Sequence, residues 1–384
     1  MENYLQDINK YITEKLLKRK TDNAYRTLEV KENLVDFCSN DYLGFARDKK
    51  LTKEVEKALA TLNIPNGGTG ARTITGTTNL ILDTEKQIAH FHKAEAALFY
   101  NSGFTANLGF FAALPYRGDT ILYDELIHAS IRDGMQLSRA NSYSFAHNNL
   151  EALEKRLQKA KGKIYVVVES IYSMDGDAAP LTEIMKLCKK YNAALIVDEA
   201  HSNGIFGENG SGLVCELGLE KDVFARVMTF GKAIGSHGAV VVGNQNLINF
   251  LINFSRPFIY TTAPPPHQVL GVKYAYDKLS FVDDKRLIIS NLISLFKTKI
   301  KAESSLSLID SFSPIQCIII PGNDNVKYLC NKLQEDDFYV KPIVAPTVPI
   351  GLERIRICLH AFNTPQEVER LCHTIVKHTK TMDL

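Results

Sequence analysis

The sequence carries almost no net charge, no long apolar run and no paired cysteines. With 45 Lys and Arg against 43 Asp and Glu, no global field draws in nucleic acid or an anionic membrane. Apolar stretches such as "CIII" and "AVVV" have the length of a core strand and fall far short of a membrane span. The opening "MENYLQDINKYITEKLLKRK" is too charged for the apolar region of a secretory signal. Seven cysteines (Cys38, Cys188, Cys215, Cys317, Cys330, Cys358 and Cys372) lie scattered, with no CxxC pair. An odd, dispersed set argues against a disulfide framework or a zinc site and for reduced thiols in a cytoplasmic protein, with no metal. No repeat or low-complexity tract occurs. The glycine-rich "PNGGTGARTITGT" lacks the GK[ST] ending of a P-loop, and no strand clearly leads into it, so it is not a Rossmann fingerprint either.

What is present is an ordinary globular mix, 45% hydrophobic and 23% charged, in a chain long enough for roughly two domains. From about residue 95 to 243 short β-rich runs alternate with helical patterns. "DTILYDE", "KIYVVVES", "AALIVDEA" and "ARVMTF" read as strands, and "ALEKRLQKA" and "LTEIMKLCKKY" as helices between them. That alternation predicts an α/β fold built on a large, mostly parallel sheet with helices on both faces, where ligands sit beyond the carboxyl ends of the strands. A helical stretch follows from about 264 to 302. The end of the chain then offers strands near "IQCIII" and "RIRICLH" and helices near 324–335 and 364–379, which suggests a smaller α+β domain. Tyr4, Ile8, Ile12 and Leu16 recur every four positions, as on an amphipathic helix. The expected organisation is an N-terminal arm over 1–45, a large domain over 46–280 and a small domain over 281–384.

The chemistry concentrates at predicted strand ends. In "RVMTFGKAIGSHGAVVVGN", Lys232 stands in a turn of glycines and small residues just past a strand. A lone lysine there is ordinarily a solvated turn residue, since burying an unpaired ammonium is costly. In "ALIVDEAHSNGIFG", Asp198 ends a buried strand and His201 follows three residues later. Taken singly these are a turn cap and a backbone-bonded imidazole. Taken together, an acid, an imidazole and a lysine meet at one edge of one sheet, the set that pyridoxal 5′-phosphate (PLP) requires. The lysine forms the Schiff base, the acid keeps the pyridine nitrogen protonated, and a polar group holds the phenolic oxygen. Ser102 and Gly103 of "NSGFTAN" begin a helix, where free N–H groups favour a phosphate. Thr229 adds a hydroxyl, and the ring of His128 in "DELIHASIRDG" can cover the cofactor's face. Glu169 and Ser173 follow another strand in "ESIYSMDGDAAPL".

"CSNDYLG", "GTGARTITGT", "NSGFTAN", "IHAS", "SMDGDAAPL", "VDEAHSNGIFG", "TFGKAIGSHGAVVVG" and "APTVPIGLERIRICL" run in the order seen in the α-oxoamine synthases, and the chain resembles that family over nearly its whole length. The family belongs to the fold-type I PLP-dependent transferases, homodimers with active sites at the subunit interface. The resemblance implies that Lys232 carries the cofactor, Asp198 pairs with the pyridine nitrogen, and His201 and Ser173 meet the phenolic oxygen. It implies that His128 stacks on the ring, and that Ser102, Gly103, Phe104 and Thr229 hold the cofactor, with Thr262 reaching the phosphate from the partner subunit. Asn40 and Arg356 are expected to bind the amino-acid carboxylate, Thr347 to line the substrate site and Arg26 to meet the acyl substrate. The implied reaction joins an acyl thioester, on CoA or acyl carrier protein, to an amino acid with loss of CO2. The likeness is greatest to the member that uses a pimeloyl thioester and L-alanine in biotin synthesis. Members using glycine with acetyl-CoA or serine with a long acyl-CoA are alternatives, as is a non-catalytic homologue serving as a partner subunit. Two departures stand out. "VDEAHS" replaces the usual "VDDAHG", and Asn79 stands where a His is frequent.

Overall fold

Runs such as Ile164–Glu169 and Ala193–Asp198 carry apolar residues at nearly every position, and nearly all are buried, as strands covered on both faces require. The computed structural model describes residues 2–62 and 64–382. Its large sheet has seven strands: β1 (Ala96–Tyr100), β2 (Thr120–Asp124), β3 (Asn141–Phe145), β4 (Ile164–Glu169), β5 (Ala193–Asp198), β6 (Ala225–Thr229) and β7 (Ala239–Gly243). They lie in the order β1-β7-β6-β5-β4-β2-β3. Only β7 runs against its neighbours β1 and β6, so the sheet is mostly parallel, as the alternating pattern predicts.

Successive residues on the strands feed opposite faces. Tyr165, Val167 and Ile196 join one apolar cluster, while Val166, Val168, Leu195 and Val197 join the cluster on the other side. A third cluster takes in Phe99, Met228 and Val240 and continues into Ile315, Cys317, Ile357 and Leu371, so the C-terminal part packs on the large sheet through one unbroken core.

That C-terminal part holds an antiparallel sheet of β8 (Ile315–Ile319), β9 (Lys341–Ile343) and β10 (Arg354–Cys358), in the order β9-β10-β8. The expected helical stretch over 264–302 divides into Pro266–Leu279 and Asp283–Glu303. The break falls at Ser280–Val282, where Val282 is buried.

The N-terminal helix Glu2–Thr21 leaves Ile8, Ile12 and Leu16 exposed in the single chain. The segment after it is tied down by backbone pairing. Val35–Asp36 pairs in parallel with Phe338–Tyr339, and Cys358 and Ala361 donate their N–H groups to the carbonyls of Phe37 and Tyr42. This pairing carries Asn40 and Tyr42 to the carboxyl edge of the large sheet. Among the described residues, no helix is long and apolar enough to cross a membrane, and no cluster of His, Cys, Asp and Glu is placed to hold a metal.

Candidate active site

Three adjacent parallel strands end side by side, and each delivers a functional group. β4 ends on Glu169, β5 on Asp198, and β6 on Thr229, three residues before Lys232. A cavity of ≈ 240 Å³ opens at this edge. Its wall brings together Asn40, Ser102, Gly103, Phe104, His128, Glu169, Asp198, His201, Thr229 and Lys232 from the sequence-predicted set.

Lys232 is fixed by its backbone. The β6–β7 connection is a closed turn in which Phe230 N–H meets Gly238 O, Ser236 N–H meets Phe230 O, and Gly235 N–H meets Lys232 O. Gly235 takes a positive φ of 63°, and a Cβ there would strike the backbone of Ala46 at 2.2 Å, so the turn needs glycine. The lysine Nζ lies 3.3 Å from Thr229 Oγ1. Burial lowers its proton affinity, with Asp198 and Glu169 pulling the other way and Arg356 adding to the lowering.

Asp198 is 5% exposed, and its carboxylate accepts from Ala200 N–H at 3.0 Å and from Asn107 Nδ2 at 2.8 Å. His201, buried beside it, has Nδ1 2.8 Å from the hydroxyl of Tyr42. Burial, then Lys232 and Arg356, hold this imidazole well below its ordinary pKa, so it is neutral. Glu169 moves the other way. Burial first, then the charge of Asp198, raise its carboxyl well above the usual range, and its Oε1 has no hydrogen-bond partner among the described residues.

The helix Gly103–Ala113 starts at the cavity wall with a capping box, Ser102 Oγ accepting from Thr105 N–H and Thr105 Oγ1 from Ser102 N–H, both at 3.1 Å. A Cβ at Gly103 would come within 2.5 Å of Thr229 Cγ2, so only glycine lets the helix start sit this close to Thr229 at the cavity wall. His128 caps the helix Ala129–Leu137 and stands at the cavity mouth. Partial burial, and Lys232 after it, lower its pKa against the pull of Asp198 and Asp133.

Arg356, on β10, donates from Nε to Ser173 O at 2.7 Å and from Nη2 to Asn40 Oδ1 at 3.0 Å. Ser173 in turn donates its N–H to Glu169. Other predicted residues lie off the cavity. Thr262 pairs with Ala71 and accepts at its carbonyl from Asn101, while Arg26 and Thr347 line a separate groove together. Tyr42, Asn107 and Ser130 belong to the site and were not singled out from sequence. For Asn107 a signal existed: it falls one turn beyond Gly103, a polar residue among Gly, Ala and Phe on an otherwise apolar helix.

The donor set fits PLP. A helix start at the cavity wall suits a phosphate. A buried carboxylate with two donors suits a protonated ring nitrogen, and an amine of lowered proton affinity suits a carbonyl carbon.

The sheet order and this strand-end constellation define a fold-type I transferase. The aminotransferase class I and II family model matches residues 32–375, and the chain belongs to that family. Within it, the "8-amino-7-oxononanoate synthase" of Marinobacter nauticus is 38% identical over 90% of this chain and 87% of its own length. A solved 8-amino-7-oxononanoate synthase from Francisella tularensis superposes with a TM-score of 0.80 at 30% identity, covering 91% of this chain and 99% of that one. Serine palmitoyltransferase from S. paucimobilis, solved with a PLP–myriocin aldimine, superposes with a TM-score of 0.88 at 28% identity over 98% of both chains. These relatives are α-oxoamine synthases, as the ordered motifs imply.

Proposed function

We propose that this chain is a PLP-dependent α-oxoamine synthase that joins a pimeloyl thioester to L-alanine, giving 8-amino-7-oxononanoate and CO2 and releasing the thiol carrier. The observation that carries the reaction class is the convergence of Lys232, Asp198 and His201 at one sheet edge. The named relatives support the substrate pair. Bound PLP supplies a ring that accepts the electrons left when a proton or CO2 departs from the amino acid.

The chain's residues supply the rest. Lys232 and Thr229 would hold the cofactor's aldehyde end and phosphate, with Ser102, Gly103 and Phe104 at the helix start. Asp198 would pair with the ring nitrogen, and Asn107 and Ala200 keep its carboxylate from turning away. His201 and Ser173 would hold the phenolic oxygen, and the ring of His128 would cover the cofactor's face. Lys232, neutral more readily than a free lysine, takes the α-proton on Nζ. Arg356, braced by Asn40 and the Ser173 carbonyl, offers its guanidinium to the amino-acid carboxylate. Arg26 and Thr347 share a groove suited to the acyl chain.

In this reading the enzyme is a cytoplasmic homodimer. Phe104, on the cavity wall yet 45% exposed, marks a face for the second subunit to cover, with Thr262 reaching across to the other phosphate. The seven free thiols suit a reducing compartment.

A panel of alanine, glycine and serine against acetyl-, pimeloyl- and palmitoyl-CoA tests the assignment by product mass and CO2 release. Turnover highest with serine and palmitoyl-CoA would replace this substrate pair by that of the serine palmitoyltransferase neighbours. No turnover, in a protein that binds no PLP, would favour a non-catalytic partner subunit.

A further inference from the structure

Asn107 and Ser130 line the cavity and are almost wholly buried. The Asn107 amide has two hydrogens, and both are used: one on Asp198 Oδ2 at 2.8 Å and one on Ser130 Oγ at 3.0 Å. Its carbonyl oxygen has no hydrogen-bond partner among the described residues. An ionised Asp198 dictates this orientation, because a flipped amide would set a carbonyl oxygen against a carboxylate. The consequence passes along the chain of contacts. With Oγ accepting from Asn107, Ser130 directs its own hydrogen to His128 Nδ1, 2.7 Å away, a nitrogen that the backbone already fixes as an acceptor. The Ser130 N–H donates to the same nitrogen at 3.2 Å. With two donors aimed at it, Nδ1 keeps its lone pair, and the ring hydrogen sits on Nε2. An imidazolium would need N–H at Nδ1, head-on to the Ser130 N–H and with the Ser130 hydroxyl forced to turn.

We propose that Asn107 is a positioning residue that passes the charge state of Asp198 to His128, fixing the Ser130 hydroxyl so that His128 stays neutral with its hydrogen on Nε2. The groups facing His128 are Asp198 at the end of β5, Lys232 after β6, Glu169 at the end of β4, buried His201, and Asp133 on its own helix. Asp198 and Asp133 favour a charged ring and burial and Lys232 a neutral one, and the donors at Nδ1 add to the second pair. The proposal rests on the PLP reading for its purpose, since it keeps the ring-facing imidazole uncharged beside Lys232. The hydrogen-bond directions belong to this chain alone.

The test is ¹⁵N NMR of histidine-labelled holoenzyme, with the His128 ring signals assigned from a His128→Gln sample. The parent is expected to show the Nε2–H form only. In Asn107→Ala the Ser130 hydroxyl is free to accept, so an Nδ1–H population appears and the titration midpoint moves up. Both variants keep the Ser130 N–H, but Ser130→Ala leaves no hydroxyl to accept an Nδ1–H, so its midpoint moves up less. A parent ring carrying Nδ1–H overturns the proposal, and so does an unchanged midpoint in Asn107→Ala. If Asn107→Ala does not fold, the parent tautomer and an upward move in Ser130→Ala decide the matter, and no move there overturns it. PLP fixed to Lys232 by borohydride is measured in the same samples. Failure to bind PLP with the histidine behaviour intact sinks the cofactor reading and leaves this one standing.

Discussion

Two histidines at the same edge of the large sheet have opposite proton affinities. His128 stands at the cavity mouth, where desolvation and Lys232 push its pKa down. His147 follows β3 and lies between two carboxylates, with Nδ1 2.9 Å from Asp124 Oδ1 and Nε2 2.7 Å from Asp177 Oδ2. Burial lowers its proton affinity, but these two acceptors outweigh the effect and raise its pKa to about 9. Fold position does not set the charge; the facing groups do. Donors face Nδ1 of His128, whereas acceptors face both nitrogens of His147. The first arrangement suits a ring that must stay neutral beside reacting groups. The second makes a charged clasp between β2, the loop after β3 and the 173–178 loop that supports Arg356.

The sharpest break in this contrast comes at the cavity. Lys232→Ala is expected to fold yet lose turnover on the order of 10⁴-fold or more, with no PLP fixed by borohydride. Peptide mapping of the reduced parent should find the label on Lys232, and a label on another lysine refutes the assignment. Next in size, Asp198→Asn should retain PLP while turnover falls on the order of a thousandfold, about 4 kcal/mol, because an amide does not hold the ring nitrogen protonated. Near-normal turnover in that variant would remove Asp198 from its role.

The clasp predicts a smaller effect, on stability. The folded pKa of His147 is raised, so its contribution is fully present below the unfolded value near 6.5 and is lost as pH climbs through about 9. Allowing for solvent screening of a part-exposed pair, His147→Gln should cost ~1–2 kcal/mol at pH 6 and almost nothing at pH 10. Urea unfolding of parent and variant at both pH values checks this, and a cost equal at both would discard the charged clasp. The smallest effect is expected at Arg26, which is exposed and off the cavity. Arg26→Ala should raise KM for pimeloyl thioester roughly fivefold, with KM for alanine unchanged. Equal KM changes for dicarboxylic and unsubstituted acyl chains would show that Arg26 does not meet a terminal carboxylate.

The strands that end in Asp198 and Glu169 were legible because burial on both faces forces near-continuous Val, Ile and Leu, and a charged residue closing such a run stands out. The turn around Lys232 was legible through its glycines. β3, "NSYSF", escaped because an edge strand with exposed residues carries no apolar run. Tyr42 escaped for another reason. Its partner His201 is remote in the chain, and the contact depends on residues 35–42 being pinned to Phe338–Tyr339, Cys358 and Ala361 by backbone bonds that no local pattern records. Asn107 and Ser130 act through direction of donation, a property of assembled neighbours.

The reversal of β7 has one more consequence. Because β6 and β7 are antiparallel, the loop bearing Lys232 is the bend of a hairpin, cross-linked by its own backbone bonds, whereas β4 leads into the 170–180 loop and the helix Leu181–Lys190. Lys232 is thus mounted on a stiff bracket. When the amine lets go of one partner and reaches for another, the travel belongs to its four-carbon arm, and the amides of Phe230 and Ser236 should exchange with solvent as slowly as those of the sheet itself.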